Sequence, residues 1–196
     1  MSRVLTPRRL KKLHPSGSEA VADVGVFKVE RRTYPTLPRD VFVFAMPDWC
    51  NVIAETEAGE LVMVWQHRFG TDDLSLEIPG GVIDRGEEPA AAARRELREE
   101  TGYDAESFEL LSVVEPNPAL QNNRCFTFVA RGARLAFETS FDDLEDLEVV
   151  LVPRADIPSI LDERTITHAL VVVALEQYLR RGALPPEAAP VTSTRS

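Results

Sequence analysis

The sequence predicts a mixed α+β fold, on three observations. Runs rich in β-branched and aromatic residues recur at 24–34, 40–46, 50–56, 61–69, 108–115, 124–131 and 147–152. Most are joined by turns too short for anything but antiparallel pairing. Two stretches, about 88–101 and 165–181, instead carry helix formers or apolar residues at helical spacing. With 196 residues, 44% of them hydrophobic, the chain can bury one real core, with room for a small extension.

The elements follow in order. Residues 1–20 read as a loosely ordered arm. VGVFKVERRTY (24–34) reads as a strand, and Pro35 and Pro38 break the chain after it. DVFVFAM and CNVIAET are strands, and EAGE (57–60) turns the second of them into LVMVWQHRF, a run apolar enough to be buried on both faces. LSLEIPGG is a short strand entering a glycine turn. The helix after it starts with Pro89 where the first turn needs no N–H, and Gly102 stands where a left-handed C-terminal cap belongs. Ala90, Ala93 and Leu97 form its apolar stripe. The last helix, 165–181, has its stripe at Ile166, Leu170, Val173 and Ala174, and ALPPEAAPVTSTRS has the composition of a disordered tail.

Composition narrows the function. The formal net charge of −10 argues against nucleic-acid binding and requires cations wherever the chain meets a phosphate. There is no apolar run of membrane-spanning length, and the basic start lacks the apolar core of a secretory signal. Cys50 and Cys125 stand apart without a metal or disulfide pattern. The expectation is a reduced, cytoplasmic protein without nucleic-acid or membrane partners.

Glu96, Glu99 and Glu100 are spaced i, i+3, i+4, on one face of the predicted helix. Glu96 and Glu100 repel each other by about 0.2–0.5 kcal/mol in an isolated helix. Two arrangements compensate: a solvated face neutralised by Arg94, Arg95 and Arg98, or a divalent cation taken by hard carboxylate oxygens, Mg²⁺ or Mn²⁺. The glycine turn IPGGVIDRGE just before the helix favours the second, because its backbone can approach a ligand closely.

Residues 81–103 resemble the signature of the Nudix hydrolases, G-x5-E-x7-R-E-U-x-E-E-x-G-U. Gly81, Glu87, Arg95, Glu96, Leu97, Glu99, Glu100 and Gly102 all fall in place, with aromatic Tyr103 at the last hydrophobic position. Seven fixed letters, each at about 7% usage, meet by chance on the order of once in 10⁸ starts, which sets the solvated-face alternative aside. The resemblance implies an α/β/α sandwich around a mixed sheet and hydrolysis of a nucleoside diphosphate linked to another group. It implies metal ligands at Glu96, Glu99 and Glu100 and at the carbonyl of Gly80 or Gly81, with Glu87 and Arg95 holding the loop and helix in shape.

Features outside the signature resemble the ADP-ribose and nucleotide-sugar pyrophosphatase branch. VWQHRFG is similar to its Q-[YFH]-R strand and LEIPGG to its E-[LIM]-P-[AG]-G turn. By that resemblance Arg68 contacts the diphosphate, Glu77 is a site or dimer-contact carboxylate, and Pro118 is the proline 16 residues after Gly102. The surrounding EPNPALQNNR departs from the branch's Ser-Pro-Gly. Its Asn123 and Arg124, with Asn117, Gln121 and Asn122, either bind a sugar or base or cap turns. Phe27 and Trp49 either stack on a base or pack, and His67 is assigned to packing. The acidic segment 140–153 offers a carboxylate to orient or deprotonate the attacking water, Glu145 first and Asp143 second.

The resemblance divides the chain into an N-terminal arm and strand extension at 1–56, through which such enzymes dimerise, a Nudix domain at 57–182, and a tail at 183–196. The implied function is Mg²⁺-dependent cleavage of ADP-ribose or a related nucleoside diphosphate sugar into a nucleoside monophosphate and a sugar phosphate. The alternatives are a triphosphate clean-up hydrolase, which lacks such an N-terminal extension, and a silent ligand-sensing module, which the intact signature disfavours.

Overall fold

The computed structural model describes residues 11–140 and 146–183. They form two compact units, one of residues up to Met46 with Asn117–Asn122, the other of Pro47–Pro116 with the residues from Asn123 onward. This division precedes the expected 56/57 boundary because the strand after Met46 pairs inside the second unit.

The first unit holds an antiparallel sheet ordered β1 (Gly17–Asp23), β2 (Lys28–Thr33), β3 (Val41–Ala45). β1 lies in what the sequence suggested was a loose arm. All seven of its residues are exposed, so it has no apolar periodicity to read. Backbone pairing and cross-strand charge hold it, including the Glu19–Arg31 ion pair. The expected strand 24–34 begins late because Val24 donates to the Phe27 carbonyl (3.1 Å), making 24–27 a turn. Phe27 packs edge-on against Phe44, with centroids 5.2 Å apart.

The second unit runs β4 (Trp49–Thr56), β5 (Glu60–Arg68), β6 (Asp73–Glu77), β7 (Gly80–Val82), α1 (Pro89–Thr101), β8 (Tyr103–Asp104), β9 (Ser107–Val114), β10 (Cys125–Leu135), β11 (Leu147–Pro153), α2 (Ile157–Asp162) and α3 (Ala169–Ala183). Its sheet is ordered β11-β5-β4-β10-β8, with β6 on β5, β7 on β4 and β9 on β10. β4 and β10 are parallel and the other described pairs antiparallel, so the sheet is mixed.

Strand side chains alternate between faces, and that alternation makes two cores. Val52, Ala54 and Val62 meet Ala92, Ala93 and Leu97 of α1 on one face. Ile53, Leu61 and Met63 meet Val171, Ala174, Leu175 and Tyr178 of α3 on the other. The result is an α/β/α sandwich with β4 and β5 buried between helices. Leu61–Val64 have no exposed surface, as the apolar run predicts, but the end of the run opens to solvent, with Phe69 73% exposed.

Both helices share only part of the expected stripe: Ala93 and Leu97 of α1 and Ala174 of α3 are buried as predicted, and the rest of each buried face is rotated from it. In α1 the buried residues are Ala92, Ala93, Glu96, Leu97, Glu100 and Thr101, and Ala90 is exposed. The apolar stripe and two of the glutamates therefore share one face. α3 begins at Ala169, after left-handed Arg164 (φ 60°) has ended the α2 segment. Its buried stripe is Val171, Ala174, Leu175 and Tyr178, while Val173 is 38% exposed. The sequence pattern had merged Ile166, which is buried but precedes the helix, into that stripe.

Candidate active site

Helix α1 is bounded as its sequence dictates. Pro89 occupies the first turn, and Gly102 caps the end at φ 72°, donating its N–H to the Arg98 carbonyl at 2.8 Å. A Cβ on Gly102 would collide with the Phe137 carbonyl. Helix and glycine turn are then locked together. The Gly80 N–H donates to Glu100 Oε2 at 2.9 Å. A Cβ on Gly81 would lie 2.5 Å from Glu96 Oε1, and one on Gly80 would strike the Cys50 carbonyl. Both positions need glycine because strand β4 and the α1 carboxylates press directly on their backbone.

Arg95 organises the rest. Its Nε and Nη2 bind the two Glu87 oxygens at 3.1 and 3.0 Å, and Nη2 also reaches the Val82 carbonyl at 3.0 Å. Nη1 donates to Glu96 Oε1 at 2.9 Å and Glu99 Oε2 at 3.0 Å. Glu87 is held below the usual carboxylate range by its bonds to Arg95, and Arg95 is held above its ordinary value chiefly by Glu87. The resemblance implies a shape-holding role for this pair.

The three glutamates have unlike surroundings. Glu96 and Glu100 are 8% and 3% exposed, whereas the Glu99 side chain is 45% exposed. Among the described residues no three acidic, His or Cys side chains converge on one point as a metal cage would. Glu96 and Glu99 gather round the Arg95 guanidinium instead. The donor chemistry nonetheless fits a hard divalent cation: three carboxylates on one helix, two of them buried, against a glycine turn whose backbone they touch. A buried carboxylate needs a compensating positive charge, and a cation bound through waters and substrate does not require a closed protein cage.

Arg68 and Glu77 pair with each other. Arg68 Nε and Nη2 meet the two Glu77 oxygens at 2.8 Å each, and Glu77 is 2% exposed. Burial pushes the Glu77 carboxyl up, but the Arg68 fork outweighs it and the group lies below its ordinary value. Hairpin parity could have found the pair. β5 and β6 align Val64 with Glu77 and Arg68 with Asp73, which puts Arg68 and Glu77 on one face. The resemblance had given them separate roles.

The remaining candidates scatter. Arg124 binds Asp48 with its backbone N–H (2.7 Å) and with Nε and Nη2 (3.2 and 2.7 Å), while its guanidinium lies over Phe126. That pair borders a cleft of about 410 Å³ also lined by Asp84, Arg85 and Glu87. Asn123 is 2% exposed, and neither side-chain polar atom has a partner among the described residues. In the first unit, Pro118 is exposed in a turn, and the Asn122 side chain caps the Met46 N–H at 3.0 Å. Glu145 and Asp143 lie outside the described residues. His67 is 41% exposed, faces Asp72 at 3.4 Å and meets the Phe69 ring edge-on at 5.1 Å, so the packing assigned to it is at the surface. His168, which the sequence gave no reason to choose, stands 3.7 Å from Glu77.

Comparison with known proteins bears on the family and the fold. The model of the NUDIX domain matches residues 47–173. The ADP-ribose pyrophosphatase of Bacillus subtilis (strain 168) is 32% identical over 135 residues, 68% of this chain and 72% of that protein. The methanol dehydrogenase activator of Bacillus methanolicus is 32% identical over the same shares. The mouse (Mus musculus) ADP-sugar pyrophosphatase is 36% identical over 58% of this chain and 55% of its own. Among solved structures, one described as that of an ADP compounds hydrolase superposes with a TM-score of 0.78 at 24% identity, covering 90% of this chain and 98% of its own. That likeness shows the fold.

Proposed function

The chain belongs to the NUDIX domain family and is a Nudix pyrophosphohydrolase, and from that premise we propose that it cleaves the diphosphate of ADP-ribose or a related nucleoside diphosphate sugar with Mg²⁺. The observation that carries this reading is the pair of buried carboxylates, Glu96 and Glu100, locked to the Gly80–Gly81 turn with half-exposed Glu99 beside them. Relatives named for ADP-ribose and ADP-sugar hydrolysis support the substrate class.

Nudix hydrolases generally need a divalent metal. Glu96, Glu99 and Glu100 would hold it here, with a carbonyl of Gly80 or Gly81. Once bound, such an ion neutralises the diphosphate, polarises its phosphoryl oxygens and acidifies a water. The chain's own residues do the rest. Arg95 and Glu87 fix the helix against the turn, so that the carboxylates are aimed before substrate arrives. Arg68 offers a planar guanidinium, 42% exposed, to the diphosphate. Glu145 would take the proton of the attacking water, since the signature glutamates are committed elsewhere.

The exposed three-stranded sheet of the first unit supports a homodimer. Val21, Val24 and Val26 are 47%, 57% and 73% exposed there, and Phe42 is 53% exposed. A monomer by light scattering at micromolar concentration removes that part of the proposal. The test of the activity is a panel of ADP-ribose, nucleoside diphosphate sugars and nucleoside triphosphates, with Mg²⁺ and with chelator, products resolved by chromatography. Release of AMP and ribose phosphate from ADP-ribose, lost in chelator, is expected. Turnover confined to triphosphates, or undiminished in chelator, overturns it.

A further inference from the structure

Glu77 is a carboxylate with no access to water, and the Arg68 fork is its counter-charge. The two partners are unlike in one respect. Arg68 is 42% exposed and can turn toward an anion in solvent, whereas Glu77 cannot follow it. An unpaired buried carboxylate is costly enough that another positive charge, or a proton, must replace the one that leaves.

The replacement is in place. His168 Nδ1 lies 3.7 Å from Glu77 Oε2, too far for a hydrogen bond yet close enough for one after a small ring movement. Nδ1 is itself buried and has no partner among the described residues. The backbone of His168 is fixed, because its carbonyl accepts the Val172 N–H at 3.0 Å in the first turn of α3. The charged groups that bear on the ring are Glu77 of β6 and Arg68 of β5. Burial pulls the imidazole pKa below its ordinary value, the Glu77 carboxylate pushes it up, and the Arg68 guanidinium pushes it down. While Arg68 sits on Glu77 the ring is therefore kept neutral at neutral pH. Moving Arg68 onto an anion removes a repulsive cation and bares an attractive carboxylate, and both changes favour the imidazolium.

We propose that His168 is a positioning residue that takes up a proton and becomes the counter-ion of Glu77 when Arg68 turns to the substrate diphosphate. The proton comes from solvent to Nδ1 on binding and returns to solvent on release. No other bond is made or broken. The arrangement lets Arg68 leave a buried partner without stranding its charge, so that diphosphate binding draws in a proton. It rests on the reading that Arg68 grips the diphosphate.

Two measurements test it. The first needs no substrate. The ring C–H signals of the three histidines, assigned with His168→Gln, are followed by NMR against pH in the wild type and in Arg68→Gln. The His168 midpoint is expected to lie higher in Arg68→Gln, and an unchanged or lower midpoint overturns the proposal. The second is calorimetric binding of α,β-methylene-ADP-ribose with Mg²⁺ in buffers of different ionisation enthalpy at pH 7. The wild type is expected to take up roughly one proton per ligand and His168→Gln close to none. Equal uptake by both proteins, or none by either, overturns the proposal and leaves the substrate reading standing. If the analogue does not bind and ADP-ribose is not turned over, the substrate reading falls, and the NMR titration alone decides whether His168 answers to Arg68.

Discussion

Helix α1 carries charge clusters of opposite balance on its two sides. On the side facing the glycine turn, one guanidinium, Arg95, serves Glu87, Glu96 and Glu99, with Glu100 buried next to them. On the other, two guanidiniums, Arg94 and Arg98, converge on Asp104 at 2.8 Å each and lie over Phe108 and Phe137. The second surplus is positive and nearly free of cost, because Arg94 and Arg98 are 40% and 39% exposed and water screens them. The first surplus is negative, and two of its members, Glu96 and Glu100, are buried, although Glu99 is as open to water as the two arginines. The lesson lies in burial, not in count: a like-charge surplus with members kept out of solvent calls for a counter-ion, whereas an exposed surplus does not.

The strongest way to break this contrast is to neutralise one charge on each side. Glu99→Gln should lower kcat by at least about 10²-fold with the circular dichroism spectrum unchanged and the melting temperature little altered, since Glu99 is half-exposed and its ion pair with Arg95 is of the weak, solvent-screened kind. Arg98→Gln should leave kcat within about twofold. Equal effects from the two variants would erase the distinction between the sides.

Arg95→Gln tests the negative surplus through stability. It leaves Glu96 and Glu87 without the donor that binds both, at a cost of about 2 kcal/mol in urea unfolding. A divalent cation should then raise the melting temperature of the variant more than that of the wild type, because the ion replaces the missing charge as well as binding the native state. Identical metal-induced shifts in both proteins would mean that Arg95 and the cation do not address the same carboxylates.

Glu145→Gln is expected to lower kcat by at least about tenfold with little change in metal affinity, and Asp143→Asn by less. The basis is the same contrast: carboxylates that held a cation would be poor bases, and proton transfer would then fall to one outside the helix. Two fully active variants would return the base to the signature itself.

How much of this was legible in the sequence depends on the reach of each interaction. The glycine turn, Pro89, the helix and the left-handed Gly102 are local, and residue type alone places them. The sequence could not say which glutamates are buried, because that depends on how α1 is rotated on the sheet. Ala92 packs where Ala90 was expected, and Glu96 and Glu100 are carried inward with it. Strand β1 left no pattern because it buries nothing. His168 and Glu77 are joined only once α3 is docked on the far end of the chain, and no spacing rule spans that distance. Asp104 was within reach, since the reversal at Gly102 must return the next residues along the helix, but nothing in its own position marks it as the anchor of two arginines.

Asp104 offers the smallest effect and the finest test of the contrast. Burial pushes its carboxyl up, but Arg94 and Arg98 outweigh that and hold it well below the usual carboxylate range. A depressed pKa means that the folded state keeps Asp104 charged at a pH where the unfolded chain, near about 3.9, has begun to bind a proton. Its contribution is therefore complete above that value and drains away as the pH falls through it toward the lower folded pKa. Both arginines are more than a third exposed, so solvent limits the gain to about 1 kcal/mol or less. Asp104→Asn should thus be slightly less stable than the wild type in urea at pH 7, with the gap narrowing on acidification to pH 3, and with kcat unaffected. A gap that is constant across that range would show that Asp104 acts through neutral hydrogen bonds to Arg94 and Arg98. A fall in kcat would show that the Asp104 side is coupled to the side proposed to hold a cation.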